Sequence, residues 1–408
     1  SWGTPAHPLR VEKETIDDLE PSGRGLIARK TITQGQPLLV INTKLVLTKQ
    51  QARETLGADV VTEQMGEYIA LALLLVHERA KGPRSFWAPY IDVLPTADEV
   101  GQSFLWPEEE LALLTGSQAL DATRSMQTKL RDEFAELEAT LLSARPDLFP
   151  ADDFNLDSFL WAMSMLFSRA VNLRAQAMLA LVPYAALLNP SPYSATNVLL
   201  NTIPFSKERE VTLYADRSYA AGDQVLISYG QKSNSELLLL YGFVVDRNLF
   251  DQVELRVALS PEDELYDDKA ALLARQALPT EYGFPLLIDR YSSELMQYLR
   301  LCVATPTDGP LDSLAYNEPI STANERAAYE VLRKGCEAAL ASYPETEEED
   351  AAVMSNSALF ASLPRRTRMA VRSRRNEKRV LRRTIKVCDE ELEQLAMSAA
   401  AFNRAVPR

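Results

Sequence analysis

The sequence predicts an α+β protein: a β-rich region split by a helical insert, followed by an all-helical C-terminal region. Three observations carry this. Short apolar runs separated by turn residues occupy 1–55 and return over 175–248. Within 56–174, apolar residues recur every three or four positions, the spacing of a helix face. From 249 to 408 the helical spacing resumes.

In the first β region, Gly23, Gly25, Gly35 and Pro37 punctuate the runs Leu26-Ile27-Ala28 and Leu38-Leu39-Val40-Ile41, as expected of a small sheet. The stretch Ile69 to Val76 is a buried helix. It is far shorter than the ~20 residues needed to cross a bilayer, and it runs into His77-Glu78-Arg79. After Asp121, the residues Met126, Leu130, Phe134, Leu137 and Leu141 mark one helical face, which Pro146 and Pro150 stop. Asp157 or Ser158 is suited to cap the next helix, which carries Phe159-Leu160-Trp161 and Met165-Leu166-Phe167. Strand-like runs return as Val198-Leu199-Leu200, Val211 to Tyr214 and Val225 to Tyr229, with Pro204 and Gly222 in the turns. Beyond 250, Tyr329, Leu332, Cys336, Ala339 and Tyr343 form one amphipathic face, and Pro344 to Asp350 is an acidic loop or helix start. The last helical pattern runs from Leu363 to beyond Leu395. Its basic tract, Arg365 to Arg383, reads as a solvated helix face that pairs with the acidic excess elsewhere.

Composition excludes several function classes. The 408 residues carry 43 Lys and Arg against 57 Asp and Glu, a net charge of −14. Such a field repels phosphates, so nucleic acid is not an expected partner. Cys302, Cys336 and Cys388 lie too far apart for a disulfide framework or a zinc site, and no metal is expected. The two histidines, His7 and His77, form no HExxH motif and support no Ser-His or Cys-His nucleophile. There are 15 glycines, about half of the usual ~7% usage. No GxGxxG follows a strand, which argues against a doubly wound dinucleotide or methyltransferase fold.

The most informative segment is Asp223 to Val244, DQVLISYGQKSNSELLLLYGFV. A β-type run ends on Tyr229 beside Gly230. A polar loop, Gln231 to Ser235, leads into a leucine-rich helical turn that ends on Tyr241 beside Gly242. A strand end and a helix end can aim two phenols at one small volume. Phenols hold amines, because the hydroxyl accepts N–H bonds and the ring face attracts cations. Upstream, Gly23 to Ala28 precedes Ile32 to Gly35 and Leu38 to Ile41, and a middle segment reads Leu181-Val182-Pro183-Tyr184-Ala185-Ala186-Leu187-Leu188-Asn189-Pro190.

In this order the three segments resemble the split SET domain of protein-lysine methyltransferases, and most of all the Rubisco large-subunit methyltransferase-like branch. Trp87 to Pro95 (WAPYIDVLP), Trp106 to Leu111 (WPEEEL), Gly116-Ser117-Gln118, Asn324 to Leu332 (NERAAYEVL) and Asn376 to Leu381 (NEKRVL) agree with that branch, so the resemblance covers nearly the whole chain. It implies a SET domain built from 1–55 and 175–248, an insert over 56–174, and a helical substrate-binding domain over 249–408. It also implies S-adenosyl-L-methionine as cofactor and a protein substrate presenting a lysine. Tyr229 and Tyr241 match the catalytic tyrosines. Ser22, Gly23, Arg24, Arg169, Asn189 and Pro190 match positions that meet the cofactor. The chemistry suits a chain so poor in histidine. The amine must arrive neutral, although lysine's free pKa is ~10.4; an apolar channel lowers it, and orientation does most of the rest.

The chain departs from the family where Asn189-Pro190-Ser191 stands in place of Asn-His-Ser. The family histidine brackets the adenine with its backbone N–H and C=O, and proline has no N–H. One lost hydrogen bond to a buried acceptor costs about 1–3 kcal/mol, or about ten- to a hundredfold in affinity. Ala186 stands where the family often has Asp, and Val171 where it often has Phe. The resemblance implies a protein-lysine N-methyltransferase of the chloroplast stroma acting on a non-histone protein, such as the Rubisco large subunit or fructose-bisphosphate aldolase. A chain starting at Ser1 without an initiator Met fits removal of a transit peptide. The alternative, motivated by Pro190 and Ala186, is a SET-fold scaffold subunit of a larger plastid complex with weakened or lost catalysis.

Overall fold

Leucine- and valine-rich runs pair into short sheets, and the amphipathic segments between them coil, in a computed structural model that describes residues 7–17, 20–173, 178–191, 193–202 and 209–405. In chain order the strands and helices are β1 Leu9–Asp17, β2 Glu20–Ala28, β3 Pro37–Asn42, β4 Leu47–Thr48, α1 Lys49–Leu56, α2 Glu67–Ala80, α3 Ala88–Ile91, α4 Glu108–Leu111, α5 Gln118–Leu137, α6 Leu156–Arg169, β5 Ala170–Leu173, β6 Met178–Leu181, β7 Asn189–Pro190, β8 Asn197–Thr202, β9 Arg209–Tyr214, β10 Gln224–Ile227 and α7 Asn234–Leu240. They continue with β11 Gln252–Ala258, α8 Tyr266–Arg275, β12 Glu281–Leu287, α9 Ser293–Val303, α10 Thr322–Ala341, α11 Glu347–Ser355, α12 Ser357–Ser362 and α13 Arg365–Ala405. The chain divides into two compact units. The first holds 1–105, 123–232 and 236–243; the second holds 106–122, 233–235 and 244–408.

In the first unit, β10 is the strand that gathers distant sequence. It pairs antiparallel with β2, Val225 opposite Leu26, and parallel with β7, Leu226 opposite Asn189 and Ile227 opposite Pro190. With β1 these strands form the sheet β1-β2-β10-β7, beside the sheets β3-β9-β8 and β4-β6-β5. Leu26, Leu38, Leu39, Leu213, Val225 and Ile227 close the core between them. The helices of this unit pack around α2 and α6, where Leu71, Leu74, Leu75, Trp161, Met165 and Leu166 are buried. The cap of α6 differs from expectation. Asn155, rather than Asp157 or Ser158, is the N-cap: its side chain accepts from Ser158 N–H and the Ser158 hydroxyl closes the box. Asp157 lies in the first turn, where its charge suits the helix N-terminus.

The second unit is mainly helical, but the expectation of an all-helical region is corrected by a hairpin. β11 and β12 pair antiparallel from Gln252 opposite Leu287 to Ala258 opposite Glu281. The reason is a period-two pattern: Val253, Leu255 and Val257 are buried while Glu254 and Arg256 face out. The hairpin's buried side chains share one core with α9, α10 and α13, including Leu299, Leu332, Cys336, Val380 and Leu381.

The basic tract is also corrected. It pairs with acids, as expected, but it is not a solvated face: Ser373, Arg374, Glu377, Lys378 and Val380 are all buried. Asp350 of α11 binds Lys378 Nζ at 2.7 Å and Arg374 at 3.2 Å, and Arg374 also reaches Glu345 at 2.7 Å. The acidic segment after Pro344 thus forms the start of α11 and supplies the countercharge.

One turn away, the Glu377 carboxyl accepts hydrogen bonds from Ser117 Oγ and Tyr343 Oη, both at 2.9 Å. Burial, reinforced by the negative charge of Asp251, pushes its pKa up to about 8 from 4.5. A carboxyl whose pKa is higher in the folded than in the unfolded state holds its proton more tightly when folded. Its stabilising contribution is complete below about pH 4.5 and is lost as the pH rises through about 8. Glu377→Gln keeps the shape without the titration. Thermal melts of this variant should therefore gain on the wild type by a few degrees between about pH 5 and pH 9. Parallel melting curves across that range would contradict the assignment.

Candidate active site

The rim of the site is built where β1, β2, β7 and β10 meet. Asn189 Nδ2 donates to Thr15 Oγ1 and to Gln224 Oε1, each at 2.8 Å, and Thr15 Oγ1 donates to the Gly23 carbonyl at 2.8 Å. Gly25 runs directly beneath this knot. A Cβ there would sit 2.7 Å from Gln224 Oε1, 2.7 Å from Thr15 Cγ2 and 2.8 Å from Asn189 Nδ2. Gly23 has φ +75°, exposed backbone and nothing near a would-be Cβ, so its main-chain groups are open to a ligand. Ser22 lies in β2, but its side chain is outside the described residues. Arg24 is exposed, and its charge is felt at Glu99. Pro190 continues β7 opposite Ile227, and Ser191 N–H donates to the Ile227 carbonyl at 2.9 Å.

The two tyrosines come from a strand end and a helix end, as their flanking runs imply. Tyr229 follows β10 by two residues, and Tyr241 follows α7 directly. Their rings stack with centroids 4.5 Å apart and planes at 23°. Tyr229 Oη donates to the Leu188 carbonyl at 3.3 Å, one residue before Asn189. That bond ties the phenol to the rim. Tyr241 is fixed from behind. Gly242, with φ +76°, packs against Gly101 and Gln102 so closely that a Cβ would meet Gln102 N at 2.5 Å. Gln102 Nε2 donates to the Leu240 and Ser164 carbonyls at 3.3 and 2.9 Å. Burial raises the pKa of both phenols. At Tyr229 the Arg169 charge partly opposes this, while at Tyr241 the nearby Tyr229, Tyr68 and Glu236 add to it. Both hydroxyls therefore stay protonated at neutral pH and serve to hold and orient, not to remove protons.

Arg169 ends α6. Its Nη1 donates to the Ala186 carbonyl at 2.6 Å, so main chain anchors the guanidinium where the chain has no carboxylate side chain. Its buried Nε has no partner among the described residues. The sequence singled out Arg169 but not Tyr90, which lies in α3 within the Trp87 to Pro95 stretch. Tyr90 is 8% exposed, and its Oη has no partner among the described residues. Burial raises its pKa, and the Arg169 charge works against that. An unsatisfied hydroxyl leaves no mark in a sequence; only its position beside Pro89 in a short apolar turn was visible.

This donor set fits a zwitterionic nucleoside cofactor. The open main chain at Gly23 and the Asn189 segment offer polar groups to such a ligand. Among the described residues, no three His, Cys, Asp or Glu side chains are grouped to hold a metal, and no helix is long and apolar enough to cross a membrane.

Comparisons with known proteins show the family and the fold. The SET domain family matches residues 23–230, and the Rubisco LSMT substrate-binding family matches 260–381. The ribulose-1,5-bisphosphate carboxylase/oxygenase large subunit N-methyltransferase of Nicotiana tabacum is 30% identical, over 92% of this chain and 78% of its own. The fructose-bisphosphate aldolase-lysine N-methyltransferase of Arabidopsis thaliana is 31% identical, over 91% and 79%. The actin-histidine N-methyltransferase of Rattus norvegicus is 29% identical, over 92% and 65%. A structure of the SET domain of LSMT bound to lysine and AdoHcy superposes with a TM-score of 0.80 at 28% identity, covering 96% of this chain and 89% of the other. One of Rubisco LSMT bound to AdoMet superposes at 0.78, with the same identity and coverage.

Proposed function

We propose that this chain, which belongs to the SET-domain protein N-methyltransferases of the Rubisco large-subunit methyltransferase type, transfers a methyl group from S-adenosyl-L-methionine to the Nζ of a lysine on a non-histone plastid protein. The observation that carries the choice of lysine is the stacked pair Tyr229 and Tyr241. A reacting amine nitrogen still bears N–H bonds, which phenol oxygens can accept; a reacting imidazole nitrogen bears none. The two chloroplastic relatives make the Rubisco large subunit and fructose-bisphosphate aldolase the first substrates to test and the plastid the first compartment.

When bound, S-adenosyl-L-methionine supplies an electrophilic methyl on a sulfonium. The chain's own residues supply position. Tyr229, held by the Leu188 carbonyl, and Tyr241, held by its glycine turn, accept N–H bonds from the lysine amine and fix its lone pair in line. Their apolar, half-buried surroundings favour the neutral amine. Gly23, Arg24, Arg169 and the Asn189-Pro190 segment hold the cofactor, as does the β2 backbone at Ser22. We assign 1–55 and 175–248 to catalysis, 56–174 to the insert and 249–408 to presentation of the substrate protein.

Because burial keeps both phenols protonated, turnover should follow deprotonation of the lysine. The rate should rise with pH from about 7 to about 9.5 with no fall before pH 10, the ordinary range of a tyrosine. A bell with a falling limb below pH 9 would contradict this. The test of the function is titration calorimetry with S-adenosyl-L-methionine, followed by methyl transfer to the two candidate proteins. Absence of binding at millimolar cofactor would favour the scaffold alternative. Pro190→Ala restores a main-chain N–H and should tighten cofactor binding by about tenfold. Unchanged affinity would place the adenine away from residue 190.

A further inference from the structure

Tyr241 lies in a stretch of chain that is tied off at both ends. Asn234, the first residue of α7, and Asp251 are both buried. Asn234 N–H donates to Asp251 Oδ1 at 2.9 Å, and Asn234 Nδ2 donates to Asp251 Oδ2 at 2.8 Å. One carboxylate thus takes both the main chain and the side chain of the same residue. The Asn234 side chain also pairs with the main chain of Val245. Its Nδ2 donates to the Val245 carbonyl at 3.0 Å, and its Oδ1 accepts from the Val245 N–H at 3.0 Å. Residues 235–244, with Tyr241 among them, therefore form a loop whose base is closed by one buried side chain. Asp251 is itself fixed: its N–H donates to the Asn248 carbonyl at 3.1 Å, and its Oδ1 accepts from Gln252 N–H at 3.2 Å.

The closure is chemically specific. A carboxamide offers a donor and an acceptor in one plane, and the Val245 main chain needs both. Burial pushes the pKa of Asp251 up to about 6 from 3.8, so from neutral pH upward it is mainly a carboxylate that only accepts. That fixes which way the Asn234 amide points. The helix carries the hold to the phenol. α7 runs Asn234–Leu240, and Tyr241 N–H donates to the Leu237 carbonyl at 2.9 Å, the next helical bond in line. A shift of Asn234 thus passes along α7 to the ring stacked 4.5 Å from Tyr229.

Resting on the lysine methyl-transfer reading above, we propose that Asn234 and Asp251 are positioning residues: together they close the base of the 235–244 loop and so set where the Tyr241 hydroxyl meets the acceptor amine.

The test is Asp251→Asn in the full chain, read by hydrogen–deuterium exchange and by steady-state methyl transfer to the Rubisco large subunit or fructose-bisphosphate aldolase. The variant keeps the shape and the acceptor for Asn234 N–H, but sets an NH2 group against Asn234 Nδ2, donor facing donor. Amides of 236–243 should exchange about tenfold faster or more, with the rest of the chain unchanged. The kcat should fall about tenfold while KM for cofactor and for protein stays within about twofold. Asn234→Asp disturbs the same contact from the other side and should show the same pattern. The double variant again sets a donor opposite an acceptor, and should lie closer to the wild type than Asn234→Asp alone. Unchanged exchange over 236–243 in Asp251→Asn would overturn the proposal. So would faster exchange along the whole chain, which marks a carboxylate that holds the fold and not this loop, or a loss carried by KM with kcat intact. A wild type that methylates neither protein, with the exchange pattern as expected, would leave the loop closure standing and count against the methyl-transfer reading on which the positioning role rests.

Discussion

Tyr229→Phe is expected to lower methyl transfer by about a hundredfold or more while leaving cofactor affinity within about twofold. The substitution keeps the ring and its 4.5 Å stack on Tyr241. It removes only the hydroxyl, which donates to Leu188 at 3.3 Å and offers lone pairs to the amine. That long bond contributes about 0.5–1.5 kcal/mol to stability at most, so the variant should fold and melt close to the wild type. The loss should appear in kcat more than in KM, since the phenol orients the reacting atom and is not the main grip on a protein substrate. A variant with wild-type kcat would show that the lysine amine is not oriented by this hydroxyl.

The largest effect on stability is expected from Asp350→Ala. Asp350 is 2% exposed and holds two buried cations, Lys378 at 1% and Arg374 at 6%. Removing it leaves both charges without their shared counterion. Deleting one partner of a buried pair costs about 3–5 kcal/mol, which corresponds to a fall of roughly 10 °C in melting temperature for a unit of this size. Glu348→Ala is the matched control. It removes a partner of Arg382 in an ion pair whose two side chains are 65% and 43% exposed, and should cost under about 1 kcal/mol. Chemical denaturation of the two variants side by side checks the contrast, and equal losses would contradict it.

These two residues also show what a sequence reveals. Tyr229 was legible because a β-branched run ends on it, and Tyr241 because a leucine-rich turn ends beside a glycine. Local pattern sets both positions. Asp350 was visible only as one acid among several after Pro344. Its burial depends on α11 laying its first turn against α13, and nothing within seven residues of it reports that contact. For the same reason the tract from Arg365 to Arg383 reads as a solvated face: charge count cannot tell Arg374 and Lys378, which point inward, from Arg382 and Arg383, which do not. The β11–β12 hairpin did leave a trace in the alternation of Val253, Leu255 and Val257, but it is short and surrounded by helical spacing. The rim knot of Thr15, Asn189 and Gln224 joins three segments that no short-range pattern connects. Gly25 was visible as a turn signal, whereas the reason for it, contact with all three side chains, is tertiary.

The central claim is that the Tyr229–Tyr241 pair delivers a lysine amine to the methyl donor. The most direct test supplies the protein with S-adenosyl-L-methionine labelled in its methyl group, adds the Rubisco large subunit or fructose-bisphosphate aldolase, and maps the label by mass spectrometry. The claim predicts label on a lysine Nζ, lost in Tyr229→Phe. Label on a histidine ring, or label that persists unchanged in that variant, would contradict it.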